Sequence, residues 1–467
     1  MATDILANEI NYNSFAMEHG TYMHMRIIRQ VGTQTENNIT TNAPEAVFEM
    51  PPRVYNLSRS YLYYTVTPAA PAVNQLNYVF NDTCAEIRQV QVYTRNNLLL
   101  VDINNVNNYV NAVLRHETKF EDAVTNDTAA DGEGYWEGLQ IPTGVMTNAG
   151  AIDYLNPLSP VIGTAVPVPS VNTPPYYVAQ ATEGQTTTPV ITRKFPLSIF
   201  KNTLLALDKD LYLGGETFYI RFVFDVAAKV YGIGTALNNL AIPAGAAATS
   251  YNITNLTLYA AAEINSVIEN KLKNKVMTEG FKMAIPYVWA QKVPLPAQTS
   301  HTIMVRYNNG HGQKLLKIIW APWNVTETNR TAYDHNNLVG GQGAIINTFY
   351  TTVNNVRTSQ FNYTCSAGDD YMVKSKKLKG SCITNSIDYY TNFCWREEFD
   401  NNSSMVAKPL SPPEENYVDG LDLRNEQIYA IYATTEYLAF THYMFAVCQK
   451  TLMVNSGGVQ LVSDFST

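Results

Sequence analysis

The segment Phe218-Tyr219-Ile220-Arg221-Phe222-Val223-Phe224-Asp225 restricts the fold most tightly, because its apolar side chains recur at every second position. Successive side chains of an extended chain point to opposite sides, so Phe218, Ile220, Phe222 and Phe224 form one face while Arg221 and Asp225 turn the other way. The same alternation runs through Arg88 to Tyr93, Asn255 to Ala260 and Ile303 to Tyr307. Each reads as a sandwich strand with one side buried.

Composition agrees with strands. Tyr reaches 31 residues and the charged fraction is only 15%, well under the roughly 25% of ordinary globular chains. Tyr, Thr, Val, Ile and Phe suit a pleated, half-buried surface, and Asn, Gly and Pro supply turns. Long exposed helices, which carry Lys and Glu, are disfavoured. At 467 residues and 46% hydrophobic, the chain has material for two sizeable cores.

Helical spacing occurs twice. Val106, Tyr109, Val110 and Val113 lay an apolar stripe on a short helix after a Leu98 to Ile103 strand, and Ile264, Val267, Ile268 and Leu272 do so again. The second helix separates two strand-rich regions and marks the domain junction. Ile303 to Tyr307 and Leu315 to Trp320 flank Asn308-Asn309-Gly310-His311-Gly312, which predicts a hairpin. Residues 124–192 are dense in Gly, Pro, Ala, Thr and Asn with little periodicity, and Ala321 to Gly343 and Asn401 to Gly420 are similarly irregular. Tyr429 to Val447 is the most apolar long stretch, but it holds Glu436 and His442, so two buried strands explain it better than a membrane span.

Motifs for chemistry are absent. There is no phosphate-binding G-x-x-x-x-G-K-[ST] loop, and His116-Glu117 lacks a second histidine because Phe120 occupies its place. Cys84, Cys365, Cys382, Cys394 and Cys448 form an odd set without a close pair and read as buried free thiols. The seven histidines (His19, His24, His116, His301, His311, His335, His442) show no metal-ligand spacing. Asp208 with Asp210 and Asp369 with Asp370 are carboxylate pairs best read as solvated turns, and Asp131-Gly132-Glu133-Gly134 lacks the rest of a calcium loop. A net charge of -8 argues against a free-standing nucleic-acid binder, and Lys374 to Lys379 is the strongest basic run. The first residues lack the basic and apolar regions of a secretory signal, so folding in a cytosol is expected and the N-x-[ST] triplets are not read as glycosylation sites. No residue is assigned as catalytic, cofactor-binding or metal-ligating; no cofactor is expected, and the chain is not read as an enzyme.

Glu216 to Phe224 with Asn255 to Tyr259, the helical connection from Ile264 to Val276, the strand series ending at Gln449 to Val454, and Pro51 to Leu57 leading into Tyr61 to Val66 carry a resemblance. Over nearly its whole length the chain resembles the double jelly-roll major capsid proteins that link adenovirus hexons, tailless membrane-containing phages, virophages, polinton-like viruses and large eukaryotic DNA viruses. The resemblance implies an all-β fold: two tandem antiparallel eight-stranded jelly-roll sandwiches with a few short helices and long loop insertions. The corresponding expectation is an N-terminal arm over 1–25, a first jelly roll over 26–264 with an insertion at about 124–192, a helical linker over 265–283, and a second jelly roll with a C-terminal tail over 284–467. It further implies pseudo-hexagonal homotrimers tiling an icosahedral shell around double-stranded DNA. Neighbouring capsomers and minor capsid and penton proteins would be the partners, an internal membrane is admitted, and sequence-specific nucleic-acid binding is not expected. The protein would reside in the virion, made and assembled in host cytoplasm or nucleus.

Two other readings compete. A glycan- or receptor-binding β-sandwich, such as a lectin or fibre component, would use Trp136, Trp289, Trp320, Trp323 and Trp395 as platforms. A carbohydrate hydrolase would need two carboxylates about 5 to 10 Å apart across a cleft.

Overall fold

The computed structural model describes residues 21–27, 44–68, 76–79, 84, 86–110, 177–178, 191–227, 231–234, 250–306, 314–323, 346–357, 363–364, 395–398, 421–422 and 427–462. Strands of the first half are β1 (Tyr22–Ile27), β2 (Glu45–Met50), β3 (Tyr55–Pro68), β4 (Leu76–Val79), β5 (Ile87–Thr94), β6 (Leu99–Asn104), β7 (Tyr177–Val178), β8 (Ile191–Pro196), β9 (Asp210–Leu211), β10 (Phe218–Phe224), β11 (Tyr231–Gly234) and β12 (Tyr251–Glu263). They form a sheet β1-β12-β3-β8 with β9 added to β3, a sheet β2-β10-β5-β6, and a small sheet β11-β4-β7. All pairings are antiparallel.

The first two sheets close a sandwich because their inner faces carry the alternating apolar residues. On β10, Phe218, Ile220, Phe222 and Phe224 are buried, and Ile220 and Phe222 stand opposite Val92 and Val90 of β5. Tyr64 of the other sheet meets Phe224 edge-on at 5.9 Å. One part of the alternation fails: Asp225 is buried, not outward. The ladder shifts register between Val223 and Phe224, and Asp225 then accepts hydrogen bonds from Asn107 Nδ2 (3.1 Å) and the Val226 N–H (2.9 Å). A local bulge re-aims side chains in this way.

Helix α1 (Ser266–Thr278) follows β12, capped by the Asn265 side chain accepting from the Val267 N–H at 3.0 Å. Its buried stripe is Ile268, Leu272 and Val276, whereas Ile264 and Val267 are exposed. Ile268 and Leu272 are buried as expected, whereas Ile264 precedes the helix and Val267 faces outward, and the burying residues recur at every fourth position to Val276. Val106, Tyr109 and Val110 of the earlier helix, described over 106–110, are buried as expected, and Val113 lies outside the described residues. The 1–25 arm reading also needs trimming, since residues 22–25 belong to β1 and pair with β12; residues 1–20 lie outside the described residues.

The second half comprises β13 (Phe281–Met304), β14 (Lys314–Trp323), β15 (Ile346–Val353), β16 (Val356–Arg357), β17 (Tyr363–Thr364), β18 (Trp395–Glu398), β19 (Leu421–Asp422), β20 (Ile428–Asn455) and β21 (Gly458–Val462). The 28-residue β20 is the spine. β13 runs along one edge of it, and β15, β14 and β21 follow one another along the other. The ladder shifts register between Leu295 and Gln298 and again between Gln298 and Ser300. The two strands expected within Tyr429 to Val447 are therefore one continuous strand whose pairing is irregular between Ala433 and Phe440.

The predicted hairpin between Ile303 to Tyr307 and Leu315 to Trp320 does not form. Ile303 pairs with Ala430 and Trp320 with Met444, both on β20, and residues 308–312 lie outside the described residues. A tight turn does occur at Asn354-Asn355, with φ of 51° and 65°, joining β15 to β16. Two consecutive left-handed residues match the right-handed twist of a hairpin, and Asn tolerates them better than most residues.

Gly280 ends the turn from α1 into β13. Its φ is +70°, and a Cβ there would stand 2.8 Å from the Val454 carbonyl oxygen, so only glycine lets β13 start against the end of β20.

Candidate functional site

The residues singled out for chemistry do not converge. Among the described residues, no group of three or more His, Cys, Asp or Glu side chains is placed to hold a metal. Asp208 accepts from Asn56 Nδ2 at 2.8 Å and from Arg59 Nε at 3.0 Å, and the Arg59 hydrogen bonds hold its carboxyl below the usual range. Asp210 accepts from the Tyr22 hydroxyl at 2.8 Å. Both serve as anchors at the edge of the first sandwich. Asp369, Asp370, Asp131, Glu133, the Lys374–Lys379 run, Cys365, Cys382, Cys394, His19, His116, His311 and His335 lie outside the described residues.

Two of the tryptophans offered as sugar platforms are core residues. Trp289 and Trp320 are 4% and 0% exposed, and the Trp289 indole donates to Cys448 Sγ at 3.3 Å. They cannot stack on a ligand in this fold. Trp136 lies outside the described residues, as do the side chains of Trp323 and Trp395.

Sequence reasoning missed a buried polar cluster in the first sandwich. Arg193 on β8 donates to Glu86 Oε1 through Nη2 (3.0 Å) and Nε (3.2 Å), and the Tyr64 hydroxyl donates to Glu86 Oε2 at 2.8 Å. The two charged side chains are 1% and 0% exposed. Burial, aided by the Glu86 charge, pushes both the Tyr64 hydroxyl and the adjacent Cys84 thiol well above their ordinary values. A protonated, buried thiol is no nucleophile, so Cys84 is inert and the cluster is internal scaffolding. The ion-pair partners are 107 residues apart, and no local pattern links them.

The two halves meet at a seam built on β13 and β20. Along Tyr443 to Cys448 the side chains alternate between two cores: Tyr443, Phe445 and Val447 join the apolar cluster of the first half, and Met444, Ala446 and Cys448 join that of the second. A strand buried on both faces needs a continuous apolar run, which explains why this stretch mimics a membrane span. Phe445 packs against Tyr109 at 5.1 Å between ring centroids. Beside it the Lys450 ammonium sits 3.3 Å over the Tyr287 ring. Burial pushes this amine down to about 8, while Cys448 and Asp102 of β6 pull the other way.

In the second half, His442 lies 5.6 Å from the Trp320 ring, and His301 Nε2 is 2.9 Å from the Gln298 carbonyl oxygen. Burial and then the charge of His301 push His442 down to about 3 from 6.5, and burial lowers His301 too. The unfolded chain takes up a proton near 6.5 and the folded chain only near 3, so this contribution is full above pH 6.5 and is lost as pH falls through that window. The expected loss is up to about 1.4 kcal/mol per pH unit from this residue. Urea midpoints measured between pH 7 and pH 5 should therefore fall less steeply for His442→Gln than for the wild type; identical slopes would contradict the assignment.

No protein-family model matches the sequence, and no curated protein matches it. Solved structures do. A Sputnik virophage chain determined by electron cryomicroscopy superposes with a TM-score of 0.55 at 12% identity, over 96% of this chain and 89% of its own. The PBCV-1 virus capsid gives 0.52 at 8% identity over 95% and 96%. The mavirus major capsid protein gives 0.50 at 11% over 97% and 93%. The chain is a double jelly roll. In a double jelly roll the seam holds the two sandwiches side by side, and here β20 lends one face to each core. The likeness is one of fold, with side chains almost wholly replaced.

Proposed function

We propose that the protein is the major capsid protein of an icosahedral double-stranded DNA virus. The observation that carries the reading is end-to-end likeness to capsid structures at 8% to 12% identity, with coverage of at least 89% of each partner chain. Two sandwiches fused at a rigid seam give one polypeptide two of six similar sides, and weak contacts repeated around a shell sum to a stable particle. Three copies form a pseudo-hexagonal capsomer, which meets neighbouring capsomers and minor capsid and penton proteins; a membrane beneath the shell is compatible with this arrangement. The role requires no catalysis and no cofactor, and it places the protein in the virion, assembled in host cytoplasm or nucleus. Residues 22–264 and 281–467 serve as the two jelly rolls, the segment before β1 as an inner arm, and the insertion at about 124–192 as an outward or trimer-clasping loop.

Light scattering on the purified full chain tests this. The expected particle has three times the 52.1 kDa of one chain. A stable monomer that binds saccharides would instead favour the glycan-binding reading.

A further inference from the structure

β20 changes character within the seam. Its side chains from Tyr443 to Cys448 are apolar or aromatic and fill the two cores, yet the next three residues, Gln449, Lys450 and Thr451, are also buried, at 3%, 5% and 6% exposure. Side chains alternate along a strand, so Gln449 and Thr451 follow Tyr443, Phe445 and Val447 on the side that meets the first half. Lys450 follows Cys448 on the other side. A polar belt therefore crosses a strand that is otherwise built for two apolar cores.

On the side toward the first half, this belt meets nothing polar. Gln449 Nε2, Gln449 Oε1 and Thr451 Oγ1 are closed off from solvent and make no hydrogen bond. The ladder gives the local reason: Gln449 stands opposite Pro286 and Thr451 opposite Ala284 of β13, neither of which has a polar side-chain atom. Lys314, opposite Gln449 on β14, does not bond to its amide. On the other side the Lys450 ammonium rests 3.3 Å over the Tyr287 ring. A buried donor or acceptor without a partner has forfeited its hydration and gained nothing in exchange, so separation of the surfaces around it is favoured.

Tight contacts bracket the belt. Phe445 packs on Tyr109 at 5.1 Å before it, and beyond it Gly214 of the first half fits so closely that a Cβ there would lie 3.2 Å from the Asn455 carbonyl oxygen. A ligand or a second copy explains the orphaned atoms less well. Residues of this chain enclose them, and nothing reaches them without an opening.

We propose that Gln449 to Thr451 is a built-in opening point of the seam, where β20 and β13 part transiently from the first sandwich and hydrate the Gln449 amide and the Thr451 hydroxyl. The Tyr443 to Val447 run holds meanwhile. The device belongs to the fold and does not depend on the capsid reading.

Native-state hydrogen exchange on the purified full chain, read by mass spectrometry, tests this with Thr451→Val and Gln449→Met, each close in size to the residue it replaces. Circular dichroism confirms folding. Removing an orphaned polar group raises the cost of opening, so exchange at residues 447–451 and 284–288 should slow about tenfold in each variant, with β10 and β15 unchanged. Faster exchange there would overturn the proposal, because it would mean that water bridges these groups and holds the seam together. Equal exchange in variant and wild type would overturn it too. Slowing spread evenly over both halves would place the effect on global unfolding and exclude an opening at the seam. Should Gln449→Met fail to fold, Thr451→Val, which keeps the shape of the side chain, decides alone.

Discussion

Replacing Glu86 by alanine is expected to lower the unfolding free energy by about 3–5 kcal/mol, the cost of stranding a buried charge. The Arg193 guanidinium, 1% exposed, would lose the carboxylate to which it donates twice, and the Tyr64 hydroxyl would lose its acceptor. Coulomb attraction inside the sandwich does not make the intact pair a large net stabiliser, since both ions also lost their hydration. The asymmetry lies in breaking it. Accordingly, Glu86→Leu with Arg193→Met, which removes both charges and keeps volume, should recover most of the loss. The Glu86→Ala urea midpoint checks the first statement, and the midpoints of the wild type, Glu86→Leu, Arg193→Met and the double variant form a double-mutant cycle that checks the second. A Glu86→Ala midpoint within error of the wild type would show the pair to be hydrated and the first core to be wrongly assigned.

Phe445→Ala is the second large effect, expected at about 3–5 kcal/mol from lost burial and the cavity left behind. Its ring lies between Tyr109 of the first half and Tyr443 of its own strand, at 5.1 and 6.3 Å. The loss falls at the seam, so both sandwiches should melt earlier. Hydrogen exchange should accelerate at β6 as well as along β13 and β20. Acceleration confined to the second half would mean that the two cores are energetically separate despite their contact.

Much of the first sandwich was legible in the sequence because its strands bury one side only. The alternation of β5 and of β10 as far as Phe222 is the direct imprint of an inner and an outer face, whereas β12 departs from it, with Leu256, Thr257 and Leu258 buried in succession beside a register shift. The second half was less legible for a physical reason. β20 is buried on both faces through Tyr443 to Cys448 and runs through its register shifts without a loop, so neither period nor punctuation marked its course. The Asn308 to Gly312 hairpin shows the same limit from another side. Turn chemistry is local, whereas pairing was decided by β20, more than a hundred residues further on. The Glu86–Arg193 pair spans the sandwich, and tertiary structure alone brings its two residues together. Trp289 and Trp320 failed as ligand platforms because large aromatics equally fill cores, which is where both went.

Electron-microscope images of the purified, self-associated protein test the central claim most directly. Two sandwiches per chain in a threefold assembly should appear as particles with a hexagonal outline, six similar lobes around a threefold axis. Particles of two lobes only, or rings without hexagonal outline, would contradict it.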